Sequence, residues 1–390
     1  MTLFERLSRL AVPTIVLVAA AACGSPPQAP GHVHSTGGAS TQPLRTGEQF
    51  VHLRMAEPYT PGAPGAGRDD YRCMVIDPRV TERVFLTGVQ FQPGQASIAH
   101  HAITFAVPPQ GAPAVRERDA EAAGEGYTCF GMDGGDGTAS WVDTWTPGGR
   151  ETLLDGDMGY PLEPGSLLVL QIHYNLLGVR DDATVTDRSG VRLRQTRGTD
   201  RTVSLDTVPL AAPVELPCAP DESGPLCDRA AAMADVIDRF GPEAGRRADW
   251  LLRSCGDGTP RPGESQTCDT PAPAGMTVHA VRGHMHLLGR SIKVELNPGT
   301  PGARTLLDVP EFNFDDQGLH VLSEPVALRP GDTLRTTCAF DVGLRKMLPQ
   351  LSDLPPRYVV WGEGTTDEMC APLLTVSGPV SNAGVGSAGR

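Results

Sequence analysis

Along most of this chain the apolar residues come in short runs or at alternate positions, and Gly or Pro closes nearly every run. In the first half, residues 83–91, 97–107 and 166–175 read as strands, the last following directly on the turn signal Glu163-Pro164-Gly165. From about residue 275 the pattern resumes at 277–281, 284–296, 319–328, 333–340 and 358–362. Residues 228–240 and 243–253 differ: they are rich in Ala, Leu and Arg at helical spacing, and Gly241-Pro242 separates them as a stop signal. The pattern predicts an all-β fold of two β-sandwiches of similar size, spanning residues 47–207 and 271–378. Between them fall a proline-rich linker, 208–217, and a cysteine-rich helical insertion, 218–270.

The two ends carry a different pattern. Arg6 and Arg9 precede an apolar run, residues 10–22, that is too short to span a membrane and reads as an export signal over 1–22. It closes on Ala19-Ala20-Ala21-Ala22-Cys23-Gly24-Ser25, which resembles a bacterial lipoprotein cleavage box with Cys23 as the lipidated residue, although Ala20 stands where leucine is usual. Residues 23–46, rich in Pro, Gly, Ser and Thr, read as a flexible tether, and 379–390 as a disordered tail. The expected location is therefore the cell envelope, lipid-anchored at the outer membrane, in the periplasm or at the cell surface. The tether's His32-Val33-His34 is not preorganised for a metal.

Composition narrows the partners. A net charge of −13 and a pI near 5.2 argue against nucleic acid and against an anionic membrane surface, each of which wants a basic face. With 45 Gly, 36 Pro and few aromatics, the composition suits short strands joined by turns. Nine cysteines less Cys23 leave eight, an even number in an oxidising compartment, so disulfides are expected.

The candidate chemistry lies in histidines. In Arg282-Gly283-His284-Met285-His286, a strand would turn His284 and His286 to one face and Met285 to the other, so two imidazoles could grip one ion. In the first half, His100 and His101 are neighbours and can serve one ion only where the strand ends or bulges; His173 is a third candidate. Three imidazoles with an open position make a copper or zinc site. Taken singly, His100, His101 and His173 each read first as ordinary strand residues, and the pair His284 and His286 reads equally either way. Met369 is core filler or a thioether ligand, and as a ligand beside two imidazoles it would favour Cu(I) over zinc or non-haem iron.

Taken together, His100-His101, Leu170-Gln171-Ile172-His173-Tyr174, His284-Met285-His286 and Glu368-Met369-Cys370, in this order and at these intervals, resemble the copper type II, ascorbate-dependent monooxygenases. Trp145-Thr146-Pro147-Gly148, Asp187-Arg188-Ser189-Gly190-Val191, Phe312-Asn313-Phe314-Asp315-Asp316-Gln317 and Gly331-Asp332-Thr333-Leu334 add to the likeness, which spans residues 49–376 without the insertion.

The resemblance implies two jelly-roll-like sandwiches facing across a cleft and two copper ions per chain. His100, His101 and His173 would hold the electron-donating ion; His284, His286 and Met369 would hold the catalytic one. It implies O2 and ascorbate or an equivalent reductant as co-substrates, and a small-molecule or peptide substrate. It also implies the disulfides Cys73–Cys129 and Cys338–Cys370. Three pairings of the insertion cysteines stay open, with Cys218–Cys227 and Cys255–Cys268 favoured because they are local. Arg282 matches the family's carboxylate-binding arginine; it meets an anionic substrate or pairs with an acidic neighbour. Ala371-Pro372-Leu373, where the peptide-amidating members carry polar and aromatic residues, cannot hold a carboxylate. Besides a monooxygenase, the sequence allows a non-catalytic copper-handling lipoprotein, or a disulfide-rich envelope module whose histidines are incidental.

Overall fold

The computed structural model describes residues 42–62, 69–129, 138–176, 178–180, 183–364 and 366–379. The export signal, Cys23, His32, His34, most of the tether and the tail from 380 onward lie outside the described residues.

The first half contributes β1 (Glu48–Arg54), β2 (Asp69–Ile76), β3 (Val84–Gln92), β4 (Ala99–Val107), α1 (Ala112–Glu121), β5 (Tyr127–Thr128) and β6 (Ser140–Trp145). It continues with β7 (Thr152–Leu153), β8 (Met158–Leu162), β9 (Leu167–Asn175), β10 (Gly190–Thr196) and β11 (Val203–Pro209). The second half runs through β12 (Glu215–Leu216), α2 (Arg229–Phe240), α3 (Pro242–Ser254), β13 (Ser265–Pro271), β14 (Thr277–Arg282) and β15 (Gly289–Leu296). There follow β16 (Arg304–Val309), β17 (Leu319–Ala327), β18 (Thr333–Phe340), α4 (Leu344–Met347), β19 (Val359–Val360) and β20 (Leu373–Ser377).

Each half is a β-sandwich. In the first, the five-stranded sheet β5-β2-β9-β4-β6 packs on β1-β10-β3-β8, and alternate residues fill the space between. Met74, Leu168, Leu170 and Ile172 from one sheet meet Leu86, Phe91, Val191 and Leu193 from the other. In the second, the four-stranded sheet β13-β18-β15-β16 covers β20-β14-β17, with Ile292, Val294, Leu334, Val278 and Val376 in the core. At about 25 cal/mol per Å² of apolar surface, these cores are the main source of stability.

The halves are not strung on a loose linker. β11 pairs parallel with β8 and antiparallel with β20, so a single sheet of nine strands runs through both sandwiches. The expected linker 208–217 is instead part of the second core. Leu210, Ala212, Val214 and Leu216 are all buried, because every second residue of the segment is apolar and its prolines occupy the other positions or the ends. The helical part of the insertion stops at Ser254; residues 265–270, expected within it, belong to the edge strand β13. There Gln266 and Cys268 point inward and polar residues outward, an alternation that the many Ser and Thr had hidden.

Asp228 caps α2 by accepting a hydrogen bond from the backbone N–H of Ala231 at 2.9 Å. Four disulfides join Cys73 to Cys129, Cys218 to Cys227, Cys255 to Cys268 and Cys338 to Cys370, the pairs set out above.

The outer face of the five-stranded sheet is covered in turn. Ile103, Phe105, Val107, Val169 and Trp141 on that face pack under Ala112 and Val115 of α1 and against Leu373 of β20. This face is where the two sandwiches meet.

Candidate metal centre

His101 and His173 are direct cross-strand partners on β4 and β9, and Tyr71 on β2 is the partner of His173 on its other side. The three form a row on the outer face of the sheet, with the Tyr71 ring stacked on His173 at 4.2 Å between centroids. His100 would point away on a regular strand. The register between β4 and β9 shifts between Ala99 and His101, and this bulge turns His100 back beside its neighbour. A two-residue histidine run at a strand's first turn thus delivers both rings to one point.

The Nδ1 atom of His173 lies 3.2 Å from Nδ1 of His100 and 3.2 Å from Nδ1 of His101. Nε2 of His173 donates to Asp69 Oδ1 at 2.8 Å, and Asn175 Nδ2 donates to the same oxygen at 3.0 Å. That bond fixes the His173 proton on Nε2 and leaves its Nδ1 as a bare lone pair. Burial, with His173 nearby, lowers the His100 imidazole to about 3, and burial with the surrounding histidines pushes His101 well below its ordinary value. Burial works against the Asp69 carboxylate, but the bonds from His173 and Asn175 outweigh it and hold the group below its usual range. The site is a nest of neutral imidazoles steadied by one carboxylate.

The second cluster departs from expectation in its backbone. His284, Met285 and His286 are not on a strand; β14 ends at Arg282, β15 begins at Gly289, and the histidines occupy the connection. Gly283 and Gly289 bracket it because the chain passes too close for side chains. A Cβ at Gly283 would lie 2.7 Å from Ile292 Cγ2, and one at Gly289 would lie 2.9 Å from Met285 Cβ. The alternation nonetheless survives. Met285 is fully buried in the second core, while the two rings sit together with centroids 5.4 Å apart and nearly perpendicular.

Both rings are oriented by a bond at Nδ1. His284 Nδ1 donates to Gln317 Oε1 at 2.7 Å, and Gln317 is itself fixed by its amide donating to the Phe314 carbonyl at 3.0 Å. His286 Nδ1 donates to the Asp367 carbonyl at 3.1 Å. Each therefore keeps Nε2 as a bare lone pair. Burial lowers His284 to about 4 and His286 to about 3, so both are neutral at physiological pH.

The segment bearing Met369 is strapped to this connection. The fully buried Glu368 accepts from the backbone N–H groups of His286 at 2.8 Å, Leu288 at 2.6 Å and Met369 at 3.2 Å. Burial pushes its carboxyl up to about 8, against the pull of those donors. Ala371 N–H returns to the His284 carbonyl at 3.0 Å, and the Cys338–Cys370 bridge ties the segment to β18. Closing a loop of that length contributes about 3–4 kcal/mol in a chain-entropy account. Met369 is buried and packs in the second core.

The two clusters face each other. The Phe314 ring stands between them, 5.1 Å from His100, 6.0 Å from His101 and 6.5 Å from His286, while Trp141 lies 5.6 Å from His284. Arg282 joins the halves here. It is buried, it pairs with Asp143 at 3.3 Å, and it donates to the Gln317 and Thr144 carbonyls at 2.5 and 3.4 Å. Of its two readings the ion pair with an acidic neighbour is formed, and both Nη1 and Nη2 are engaged inside the protein.

Asp69, Gln317, Glu368, Tyr71 and Phe314 had no role in the sequence reading. Gln317, Phe314 and Glu368 stood inside segments that carried the family resemblance, which was the only signal for them; Asp69 and Tyr71 are aligned by cross-strand register, which no local pattern reveals.

Residues 264–375 match the family described as copper type II ascorbate-dependent monooxygenase, C-terminal domain. That span holds His284, His286, Met369 and the Cys338–Cys370 bridge. The matched family is the one that the motifs resemble. No curated protein matches the sequence. Among solved structures, the major capsid protein P2 of bacteriophage PM2 aligns at 9% identity, covering 86% of this chain and 100% of that one with a TM-score of 0.30. A structure of allantoicase aligns at 11% identity, covering 85% and 90% with a TM-score of 0.19. Likenesses so distant carry no argument about fold or function.

Proposed function

We propose that this protein is a two-copper monooxygenase that hydroxylates a C–H bond of an organic substrate. The net reaction is R–H + O2 + two electrons + two protons giving R–OH and water, with ascorbate or an equivalent donor supplying the electrons. The family of the C-terminal domain supports copper, ascorbate and oxidoreductase chemistry. The substrate, the number of ions and the roles of single residues are our own reading.

The donor sets fit copper. An ion about 2 Å from three nitrogens needs those nitrogens about 3.3–3.5 Å apart; the two His173 contacts are each 3.2 Å, and the ligand atoms of all three rings lie within 4.8 Å of one another. Without a cation, a single lone pair on His173 Nδ1 would have to satisfy two neighbours at once. With one, all three nitrogens are served. This convergence is the observation that carries the proposal. His100, His101 and His173 would hold one ion, and His284 and His286 through Nε2, with Met369, the other. Copper in such sites stores single electrons in the all-imidazole set and favours the reduced, oxygen-reactive state where a thioether takes part.

The rest is the work of this chain's own side chains. Asp69 and Asn175 hold His173 in one tautomer; Gln317 and the Asp367 carbonyl do the same for His284 and His286. Glu368 keeps the methionine segment against the histidine connection. Because Arg282 is spent on Asp143, and Ala371-Pro372-Leu373 offer no polar side chain, we infer a substrate that is not anchored by a carboxylate beside Met369. Cys23 is proposed as the lipid anchor of an envelope enzyme.

Metal analysis of the loaded chain should give two coppers, and X-ray absorption of the reduced form should show a sulfur scatterer that disappears in Met369→Ala. Oxygen uptake with ascorbate should disappear in the same variant. Two coppers with no ascorbate-dependent oxygen uptake would point to the copper-handling alternative, and no stoichiometric copper would overturn both.

A further inference from the structure

The cysteine-rich insertion contributes to neither histidine set, yet its first helix reaches the second one. Ala232 and Val236 on one face of α2 pack with Tyr358 and Val360, which fixes the helix along its length. Each of its ends then presents an arginine to a buried carboxylate. At the start, Arg229 donates two bonds of 2.6 Å to Glu215. Near the other end, about 15 Å along the axis, Arg239 donates two bonds of 2.9 and 2.6 Å to Asp367. The two pairs are closely matched, with arginine side chains 27% and 29% exposed and both carboxylates 2% exposed. What they hold differs. Glu215 lies on β12 and accepts from the Tyr358 hydroxyl. Asp367 stands two residues before Met369, and its carbonyl is the acceptor for His286 Nδ1–H at 3.1 Å.

The chain around Asp367 is shaped for the arginine. The carboxylate also accepts from the Gly364 N–H at 3.1 Å and from Arg357 at 3.4 Å. Asp235 braces both guanidiniums, accepting from Arg239 at 2.9 Å and from Arg357 at 2.8 Å. A Cβ at Gly364 would lie 2.9 Å from both Arg239 Nη1 and Asp367 Oδ2, and one at Gly362 would lie 2.8 Å from the Asp367 side chain. Only glycine admits the pair at these two positions. A two-bonded guanidinium fixes the plane of a carboxylate as well as its place. A side chain so held leaves its own peptide, and the carbonyl that His286 uses, little freedom to turn.

We propose that Arg239 is a positioning residue for the second metal centre. By clamping Asp367 it holds the carbonyl that keeps the His286 proton on Nδ1, and so keeps Nε2 free as a lone pair. The insertion is then a brace that grips the methionine segment from outside, where Glu368 grips it from within. The consequence for copper rests on the function proposed above; the effect on the imidazole ring does not.

Long-range proton–nitrogen NMR spectra of the histidine rings, taken on the metal-free full chain, read the tautomer directly. In the wild type His286 should carry its proton on Nδ1. In Arg239→Met it should become a mixture of both tautomers, while His173, held by Asp69, stays as it was. Arg239→Lys, which keeps the charge and one bond, should fall between the two and serves if the methionine variant does not fold. Arg229→Met breaks the matched pair at the other end of the helix. It should lower Tm to a similar degree and leave the His286 tautomer unchanged, which separates positioning from a general loosening of the insertion. In the copper-loaded chain, Arg239→Met should weaken one ion about tenfold or more and leave the other as it was. A His286 spectrum that is unchanged in a folded Arg239 variant, or that moves equally in Arg229→Met, would overturn the proposal. A ring that responds as described in a chain that binds no copper would uphold the brace and overturn the metal reading instead.

Discussion

Replacing Glu368 by alanine removes the acceptor that three backbone N–H groups share, from His286, Leu288 and Met369. The side chain is fully buried, so water has no ready way in. Each orphaned donor costs about 1–3 kcal/mol, and the three together about 3–6 kcal/mol once some relaxation is allowed. Against a typical domain stability of about 5–15 kcal/mol that is a large share, equivalent to a fall of order 10 °C in Tm. Glu368→Gln has nearly the same shape. Its one carbonyl oxygen can keep His286 and Met369, while its amide then faces the Leu288 N–H, donor against donor. It should cost about 1–3 kcal/mol, clearly less than alanine.

Urea and thermal unfolding of the oxidised protein at about pH 9, above the value near 8 at which Glu368 ionises, measure both variants. Copper titration reads the local consequence: the histidine connection loses its tie to the methionine segment, so the second ion should bind more weakly while the first is unchanged. An alanine variant within about 0.5 kcal/mol of wild type, or one that loses both ions equally, would refute the idea that this carboxylate straps the two segments together.

Asp69→Asn removes the charge behind His173 and should weaken the first ion about tenfold or more in a copper competition assay, with folding unaffected by circular dichroism. Gly283→Ala drives a Cβ to 2.7 Å from Ile292 and should cost about 1–3 kcal/mol in urea unfolding; a neutral result would show that the connection has room. Acid titration should expose the buried Glu48. Burial alone would raise its carboxyl, but bonds from Arg45, Thr87 and Arg194 outweigh this and lower it from 4.5 to about 2. Between those values the unfolded chain binds the extra proton, so this group's stabilisation is complete above pH 4.5 and is lost as pH falls through 2. Glu48→Gln should flatten the acid limb of stability over that window, and an unchanged limb would contradict it.

Much of this protein was determined locally. The period-2 runs of β3, β4 and β9, the helical spacing on either side of Gly241-Pro242, and the histidines themselves are patterns of near neighbours, and they depend only on backbone geometry and on which faces are apolar. The order of the candidate ligands and the family resemblance were likewise present in the bare chain. Other features depended on packing. The glycines flanking His284 and His286 hinted that the strand breaks there, but the reason, Ile292 and Met285 pressing from the other side, exists only after folding. The segment 208–217 looked like a linker because its prolines are conspicuous, and it became core because Leu210 and Ala212 bond to the Pro372 and Cys370 carbonyls, β12 pairs with β19, and the alternate apolar side chains fill the second sandwich. Asp69 behind His173, Gln317 behind His284 and Asp143 against Arg282 join residues 33 to 139 positions apart. A sequence can name groups able to bind a metal. Which carboxylate or amide sets their tautomer, and which arginine is spent on an internal ion pair, follows from strand register and the meeting of two sandwiches.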